Sequence, residues 1–224
     1  HILVSKFDDH LPIYRQSEMW ERSGVDLDCT TMGRWVMGCG ELLMPLVEHM
    51  KKDIVASDSV QADETGVQVM NEKGRKNKSK SFMWVFKTAG DKNSKIVYHY
   101  SPSRSTDVIS SFLSGFEGYL QSDGYTGYNK FAKTKLGKVI SIGCWAHARR
   151  KFVEITKVAT KKGIAYEAVK LIAELYKIER AAKAEGLNSE EIQVRRQKES
   201  KPILEKLKKF LLEHQDAVPP KGLL

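Results

Sequence analysis

Three consecutive segments in which apolar and polar residues alternate constrain this chain most strongly. They are residues 59–70, 81–88 and 95–100, and the polar segments EKGRKNKSK and AGDKNS separate them. Alternation with a period of two is typical of β-strands, and short polar connections join antiparallel neighbours. The sequence therefore predicts a three-stranded antiparallel meander near the middle of the chain.

Helical and extended patterns alternate after the meander. We predict a helix from Ser105 to about Ser114, a fourth strand at 118–124, a short helical turn and a fifth strand at 138–144. The order β-β-β-α-β-α-β-α is the pattern of the ribonuclease H fold, in which the first strand is central and the fourth lies beside it. The predicted fold class is α/β, with a mixed five-stranded sheet and flanking helices.

Residues 1–54 have the pattern of an N-terminal helical segment. One helix is predicted between Pro12 and Gly24, a second begins after an Asp28 cap, and a longer amphipathic helix follows to Ile54. Two short helices around a Ser-Gly turn fit a helix-turn-helix DNA-binding part. A simple helical hairpin fits the same pattern.

The ribonuclease H-like core is predicted at residues 55–152, and the pattern of residues 153–224 is helical. A helix is expected from 145 to about 160, and a second one ends at Gly186. A third begins at Asn188, where a Glu three residues later completes a variant of the capping box.

Composition favours a folded protein without membrane spans. The chain is 41% hydrophobic and 29% charged, and no apolar run approaches the roughly 18 residues that a spanning helix needs. Its three cysteines form no C-x-x-C pair, which argues for a reducing, cytoplasmic setting.

Positive charge is concentrated in particular segments. The net charge is +9, and residues 147–224 contain 18 basic and 11 acidic residues. The segment KGRKNKSK, at 73–80, has five basic residues and no acid. Clustered cations suit a phosphate backbone, because each neutralised phosphate releases counterions. DNA is therefore an expected partner, and a solvated basic surface without a partner is the alternative.

Two aspartates lie where the predicted sheet brings neighbouring strands together. Asp63 interrupts the apolar first strand, and Asp123 follows the fourth. Adjacent carboxylates repel each other unless a cation lies between them, and Mg²⁺ prefers such oxygen ligands. Paired ions of this kind activate an attacking oxygen and stabilise the leaving oxygen at phosphorus. We predict that both aspartates are catalytic and bind Mg²⁺ or Mn²⁺; ordinary turns at Asp63-Glu64 and Asp123-Gly124 are the alternative.

Several segments, in this order and spacing, resemble the transposases of the insertion-sequence-sixty-six family. They are SKFDDHLPIYRQSEMWERSGVDL, QADETGVQV, MWVF, YHYSPSRS, GYLQSDGYTGYN and GCWAHARRKF. These are bacterial DDE enzymes with a ribonuclease H-like core. The resemblance implies that Asp63 and Asp123 are the first two catalytic acids. It also implies Mg²⁺-dependent hydrolysis at transposon ends, strand transfer into target DNA, a homo-oligomer assembled on DNA, and a nucleoid-associated location in the bacterial cytoplasm.

The resemblance implies that residues 153–224 are a helical insertion, after which the chain returns to a final core segment beyond this sequence. The third acid of the family, a Glu followed by Arg, comes after this insertion. The resemblance implies that this residue lies beyond Leu224, so we expect the chain as given to bind metal weakly and to lack strand transfer. Glu154, which comes 31 residues after Asp123 on the next helix, is the alternative third acid. An ordinary solvated glutamate is the simpler interpretation of Glu154.

The segment CWAHARRKF predicts a DNA contact next to the active site. Cations suit phosphates, and an aromatic or imidazole ring suits bases or sugars. The candidate residues are Trp145, His147, Arg149, Arg150 and Lys151. Alternatively, the tryptophan belongs to the core and the cations form a solvated face.

Two further side-chain roles are open from the sequence. Arg104 begins the helix near the active end, where it could contact a phosphate or form a salt bridge. Cys144 and His147 have C-x-x-H spacing, but two ligands do not make a zinc site.

Two other functions fit the same residues. One is a ribonuclease H-like nuclease or resolvase that cuts without joining. The other is a non-catalytic DNA-binding remnant of a transposase.

Overall fold

The computed structural model describes residues 1–90, 94–158 and 163–215 of the chain. Its five strands form one sheet in the order β3-β2-β1-β4-β5. The strands are β1 (Ser59–Gln68), β2 (Lys80–Thr88), β3 (Ile96–Ser101), β4 (Gly118–Ser122) and β5 (Val139–Gly143). The first strand is thus central, with the fourth beside it, as the sequence predicts.

The sheet is mixed. β1 pairs with β2, and β2 with β3, in antiparallel register. The Tyr119 amide donates to the Asp58 carbonyl at 2.9 Å, and the Gly118 amide donates to the Lys138 carbonyl at 2.8 Å. β4 therefore begins beside the starts of β1 and β5, which is the arrangement of parallel neighbours. The predicted ribonuclease H-like order of a mixed five-stranded sheet is confirmed.

One face of the meander carries the aromatic core. Val60 and Ala62 of β1 are buried, and Ala62 lies opposite Phe86 in the β1–β2 register. Phe86 stacks on Phe112 with ring centroids 3.8 Å apart, and Trp84 is fully buried on the same face. Alternate residues of the strands therefore point into this core, and the residues between them point to the opposite face.

Nine α-helices and one π-helical turn are present in the described ranges. They are α1 (Ile2–Phe7), α2 (Ile13–Arg22), α3 (Cys29–Val55), α4 (Thr106–Phe112), α5 (Thr126–Thr134), α6 (Trp145–Val158), α7 (Ile164–Ala184), α8 (Ser189–Arg195), the π-helical turn (Arg196–Ser200) and α9 (Lys201–Glu213).

The N-terminal segment differs from the prediction in one respect. The predicted second and third helices are one continuous helix, α3, with Pro45 inside it. The predicted cap is present, because the Asp28 carboxylate accepts the Thr31 amide at 2.7 Å. Pro45 removes one helical hydrogen bond, but both Pro45 and Glu41 are exposed, so water can satisfy the orphaned carbonyl. A proline that usually ends a helix is therefore tolerated here.

The helical insertion also differs in one detail. Asn188 and Glu191 form the predicted capping box, with both reciprocal hydrogen bonds. The single helix expected after it is interrupted by the π-helical turn between α8 and α9. Leu207 of α9 packs with Leu171 and Ile172 of α7 in a buried cluster, so the interruption leaves the apolar stripe of the helix in place.

Contacts divide the chain into two compact units. The first contains residues 1–120 and 127–140, and the second contains 121–126 and the residues from 141 onward. The N-terminal helices thus belong to the same unit as the meander. The boundaries predicted at 54 and 152 stay predictions. Part of the AGDKNS turn, at 91–93, and the terminal residues 216–224 lie outside the described residues.

Candidate active site and nucleic-acid interface

Asp63 lies on the central strand of the sheet. It is half-buried on β1, opposite Val85 of β2, and its Oδ1 accepts the Glu64 amide at 2.9 Å. Val60 and Ala62 point into the aromatic core, so the alternation of the strand directs Asp63 to the other face. The acid interrupts the apolar pattern without entering the core.

Glu64, its neighbour, points to the core side and is neutralised there. Its Oε1 accepts from Arg104 Nη2 at 2.6 Å and from Arg104 Nε at 2.7 Å. Its Oε2 accepts the Tyr128 hydroxyl at 2.6 Å. Only 1% of the Glu64 side chain is exposed, and such a buried carboxylate needs a full set of donors. Both of its oxygens are therefore occupied by protein donors.

Arg104 thus forms a salt bridge with Glu64, which was the predicted alternative to a phosphate contact. It lies in the connection between β3 and α4, and 44% of its side chain is exposed. A DNA contact through the exposed part of the guanidinium stays a prediction. The sequence did not indicate a role for Glu64 or Tyr128, because the contacts join residues 40 and 64 positions apart.

Asp123 directly follows β4 and is exposed. Its Oδ1 accepts the Tyr125 amide at 2.8 Å, and Gly124 has a φ of +88°. This is the Asp-Gly turn considered for these residues, and it holds the carboxylate at the end of the strand. Asp123 belongs to the second unit and Asp63 to the first.

A metal site formed by three or more protein ligands is absent from the part of the chain that the structure describes. No three His, Cys, Asp or Glu side chains within 1–90, 94–158 and 163–215 are arranged to hold a metal ion. Zinc at Cys144 and His147 therefore has no further ligands among these residues. Mg²⁺ is different, because it is commonly held by one or two carboxylates together with water and substrate oxygens.

The predicted DNA-contacting residues lie on or at the start of α6. Arg149, Arg150 and Lys151 are exposed, and His147 is half-buried. Trp145 is 42% exposed and lines a cavity of about 560 Å³ with residues of α7 and of the helical segment that ends in α9. It is thus neither a fully buried core residue nor a fully exposed one.

Glu154 is exposed on α6, four residues beyond Arg150. The position is that of an ordinary solvated helix glutamate, which was the simpler interpretation of this residue. Its role as a third acid stays a prediction.

A third arginine, which sequence analysis missed, joins those of α6. Arg149, Arg150 and Arg180 line one depression of about 610 Å³ between α6 and α7. The sequence does not distinguish Arg180 from the other basic residues of α7, so it could not be predicted as a DNA contact.

The basic segment at 73–80 is ordered by one of its own residues. Arg75 donates from Nη1 to the Pro102 carbonyl at 2.5 Å and from Nη2 to the Lys80 carbonyl at 2.9 Å. Its Nε lies 3.4 Å from Glu72 Oε2. The hydroxyl of Tyr100, followed by that of Ser81 and the charge of Arg75, lowers the pKa of the Glu72 carboxyl. The arginine thus holds the segment in place.

The lysines of this segment, unlike Arg75, are exposed to solvent. All four are exposed: Lys73, Lys76, Lys78 and Lys80. The β1–β2 connection is therefore an ordered support that presents lysines to solvent.

Helices capable of spanning a membrane are absent from the described ranges.

The curated relatives that the chain matches here are longer proteins. The chain is 35% identical over 235 residues to the uncharacterized protein y4jD of Sinorhizobium fredii, with coverage of 100% of this chain and 45% of that protein. It is 31% identical to y4qI of the same organism, covering 80% of the chain and 35% of the relative. The chain spans less than half the length of these relatives.

A solved structure also aligns with the chain. The cryo-electron microscopy structure of a simian T-cell lymphotropic virus intasome in complex with the PP2A regulatory subunit B56 gamma covers 63% of this chain and 48% of its own chain. The sequence identity is 15% and the TM-score is 0.31.

The family is shown by a sequence model described as "Transposase IS66 family", which matches residues 1–224. This match covers the entire chain, and it agrees with the resemblance carried by the segments around Asp63 and Asp123. The chain therefore belongs to the IS66 family of transposases.

Proposed function

We propose that this chain carries two catalytic carboxylates, Asp63 and Asp123, of a transposase that cuts and joins DNA with Mg²⁺ or Mn²⁺. The observation that carries the proposal is the adjacency of β1 and β4 in the sheet, with their first residues side by side. Neighbouring parallel strands have their carboxyl ends at the same edge of the sheet, which is where acids from two strands can meet.

The register of the two strands supports the pairing. The Tyr119 amide bonds the Asp58 carbonyl, so Asp63 lies five residues beyond one partner and Asp123 four residues beyond the other. We propose that this pairing continues at about 3.3 Å per residue, which would bring the two acids to nearly the same height along the strands. Leu120 and Ser122 are buried, as are Val60 and Ala62. Alternation within β1 therefore directs Asp63 away from the core, and the proposal requires the Asp123 carboxylate on that same side of the sheet.

The two carboxylates fit a magnesium ion better than a structural zinc. Both supply carboxylate oxygens, Asp63 from the middle of β1 and Asp123 from the residue after β4. Asp123 is exposed, so a substrate can reach it. The bound ions would supply positive charge for the attacking and leaving oxygens at phosphorus. Glu64 does not belong to this donor set, because Arg104 and Tyr128 occupy its oxygens.

DNA is the proposed substrate, in the bacterial cytoplasm, with a homo-oligomer assembled on it. In this proposal, Asp63 and Asp123 would hold the divalent ion beside the reacting phosphate, and the exposed cations of α6 and of the β1–β2 connection hold the flanking backbone. The reaction consists of hydrolysis at a transposon end, followed by attack of the freed 3′-hydroxyl on target DNA. Because the relatives are longer, this activity is proposed for the complete parent protein.

The test is cleavage and joining of labelled transposon-end DNA by the parent protein with Mg²⁺ or Mn²⁺. Asp63→Asn and Asp123→Asn should each abolish both steps and leave DNA binding intact. Asp58→Asn, an exposed acid just before β1, is the matched control and should retain activity.

Three outcomes would contradict the proposal in different ways. Cleavage without joining would identify a nuclease or resolvase. DNA binding without cleavage in any variant would identify a non-catalytic remnant. Activity that survives Asp63→Asn would remove this residue from the chemistry.

A further inference from the structure

The depression between α6 and α7 is lined by three arginines, which suits a negatively charged ligand. We propose that Arg149, Arg150 and Arg180 bind consecutive phosphates of the DNA backbone there, which makes the helical insertion part of the DNA-binding surface. The inference rests on the proposed function in that it takes DNA as the partner. It adds a site, and a residue on α7, that the family assignment does not provide.

The lining of the depression carries only positive charge. Arg149 and Arg150 come from α6, and Arg180 comes from α7. The other lining residues are Ala146, Val153, Ala173 and Tyr176, so no carboxylate of the described residues borders the space. Three guanidinium groups directed at one depression repel each other, and an anion between them relieves that repulsion.

Other arginines of the same unit show that this arrangement is not general. Arg195 donates to Glu185 at 2.7 Å and to Glu199 at 3.3 Å. Arg196 makes two hydrogen bonds of 2.7 Å to the two oxygens of Glu179, and this pairing lowers the pKa of the glutamate carboxyl. These arginines stabilise contacts between helices.

Arg149, Arg150 and Arg180 are different. All three are exposed, and none forms a hydrogen bond or ion pair with another residue in the described ranges. The described part of the unit thus contains acids that neutralise structural arginines, but none of these acids lines the depression. Cations without such a partner among the described residues are available to an external ligand.

Backbone phosphate fits this surface chemically. Guanidinium presents paired N–H donors that match two phosphate oxygens, and it keeps its charge at any relevant pH. Several cations along an open depression suit a chain of regularly spaced phosphates. The inferred partner is therefore a DNA strand rather than a single small anion.

The experiment measures binding of the 224-residue chain to a fluorescent DNA duplex by anisotropy, at several salt concentrations and without divalent metal. Arg180→Gln is compared with Arg195→Gln, which removes the same charge from the same unit at a paired position. We expect Arg180→Gln to weaken binding about 3–10-fold and to reduce the salt slope by about 0.9, the value for one phosphate contact. Arg195→Gln should leave both nearly unchanged.

Arg180→Lys provides a second variant with the charge retained. It should keep most of the salt slope while losing affinity, because lysine lacks the paired donors. Circular dichroism and the thermal midpoint establish that each variant is folded. A loss of fold is not expected for Arg180, which is exposed and makes no protein contact of this kind in the described ranges.

Equal effects of Arg180→Gln and Arg195→Gln would overturn the inference, because binding would then depend on bulk charge alone. An unchanged salt slope in Arg180→Gln would also overturn it. Binding that depends on Arg180, in a protein whose aspartates prove to be inert, would contradict the proposed catalysis and support this inference. A wild-type chain that fails to bind the duplex at low salt would contradict both.

Discussion

Glu64 and Arg104 form an ion pair in which the carboxylate is buried and the guanidinium is 44% exposed. The pair joins the central strand to the connection before α4, and the Tyr128 hydroxyl adds a bond from α5. Because a buried charge without donors is strongly unfavourable, these contacts determine which of two adjacent acids is structural. They leave Asp63 as the acid of β1 on the opposite face.

Removing the buried carboxylate should destabilise the protein. Glu64→Ala leaves the buried Tyr128 hydroxyl without its acceptor, and we expect a loss of about 2–3 kcal/mol in the free energy of unfolding. Urea denaturation provides the measurement. Glu117→Ala, which removes an exposed partner of Lys138, is the control and should cost less than about 1 kcal/mol. Equal losses in the two variants would show that the buried ion pair of Glu64 contributes no more to stability than the exposed pair of Glu117.

Gly118 allows β4 to begin against β1. Its φ is +140°, and a Cβ at this position would lie 2.3 Å from the Asp58 carbonyl oxygen. Gly118→Ala should therefore cost about 2–3 kcal/mol in the free energy of unfolding, since backbone atoms must move. Gly66→Ala on β1 is the matched control, because its Cβ would have only Lys80 Cδ nearby, at 3.9 Å. A tolerated Gly118→Ala would contradict the close approach of the two strands.

The sheet was predictable from sequence because its signals are local. Period-two alternation identified β1 to β3, and the order of elements identified the central strand. The Asp28 cap and the Asn188 capping box were predicted for the same reason, since each depends on residues three positions apart.

The missed features depend on distant contacts or on solvent. The pairing of Glu64 with Arg104 and Tyr128 requires knowledge of which loops meet the end of β1. Continuity of α3 through Pro45 depends on exposure of the proline, which an amphipathic pattern does not specify. Arg180 became a candidate only when the structure placed it across from the arginines of α6.

The basic β1–β2 connection should show a division of roles. Replacing Lys73, Lys76 and Lys78 by Gln should weaken DNA binding at least about tenfold and reduce the salt slope by about two to three. The thermal midpoint should hardly change, because these side chains are exposed. Arg75→Gln should lower the midpoint, since it removes the bonds to the carbonyls of Pro102 and Lys80. Destabilisation by the lysine substitutions would contradict this division.

His99 should titrate below its ordinary range. Partial burial, followed by the positive charge of Lys51, lowers the pKa of this imidazole, and Glu48 acts in the opposite direction. The unfolded chain then binds the proton first as the pH falls. The contribution of neutral His99 to stability is thus complete above a pH of about 6.5 and is lost as the pH falls towards the folded pKa.

An NMR titration of the His99 ring can check this. Lys51→Met should raise the pKa, and Glu48→Gln should lower it further. Shifts in the same direction for both variants would contradict the assigned causes.

The central claim, that Asp63 and Asp123 hold one divalent ion together, is tested most directly by Mn²⁺ binding to the 224-residue chain. Electron paramagnetic resonance would measure the affinity of the wild type, Asp63→Asn, Asp123→Asn and the double variant, with Asp58→Asn as control. If the two residues share an ion, each single variant should weaken binding about tenfold or more, and the double variant should be no weaker than the weaker single one. Independent, multiplying effects, or unchanged affinity in either single variant, would contradict a shared site.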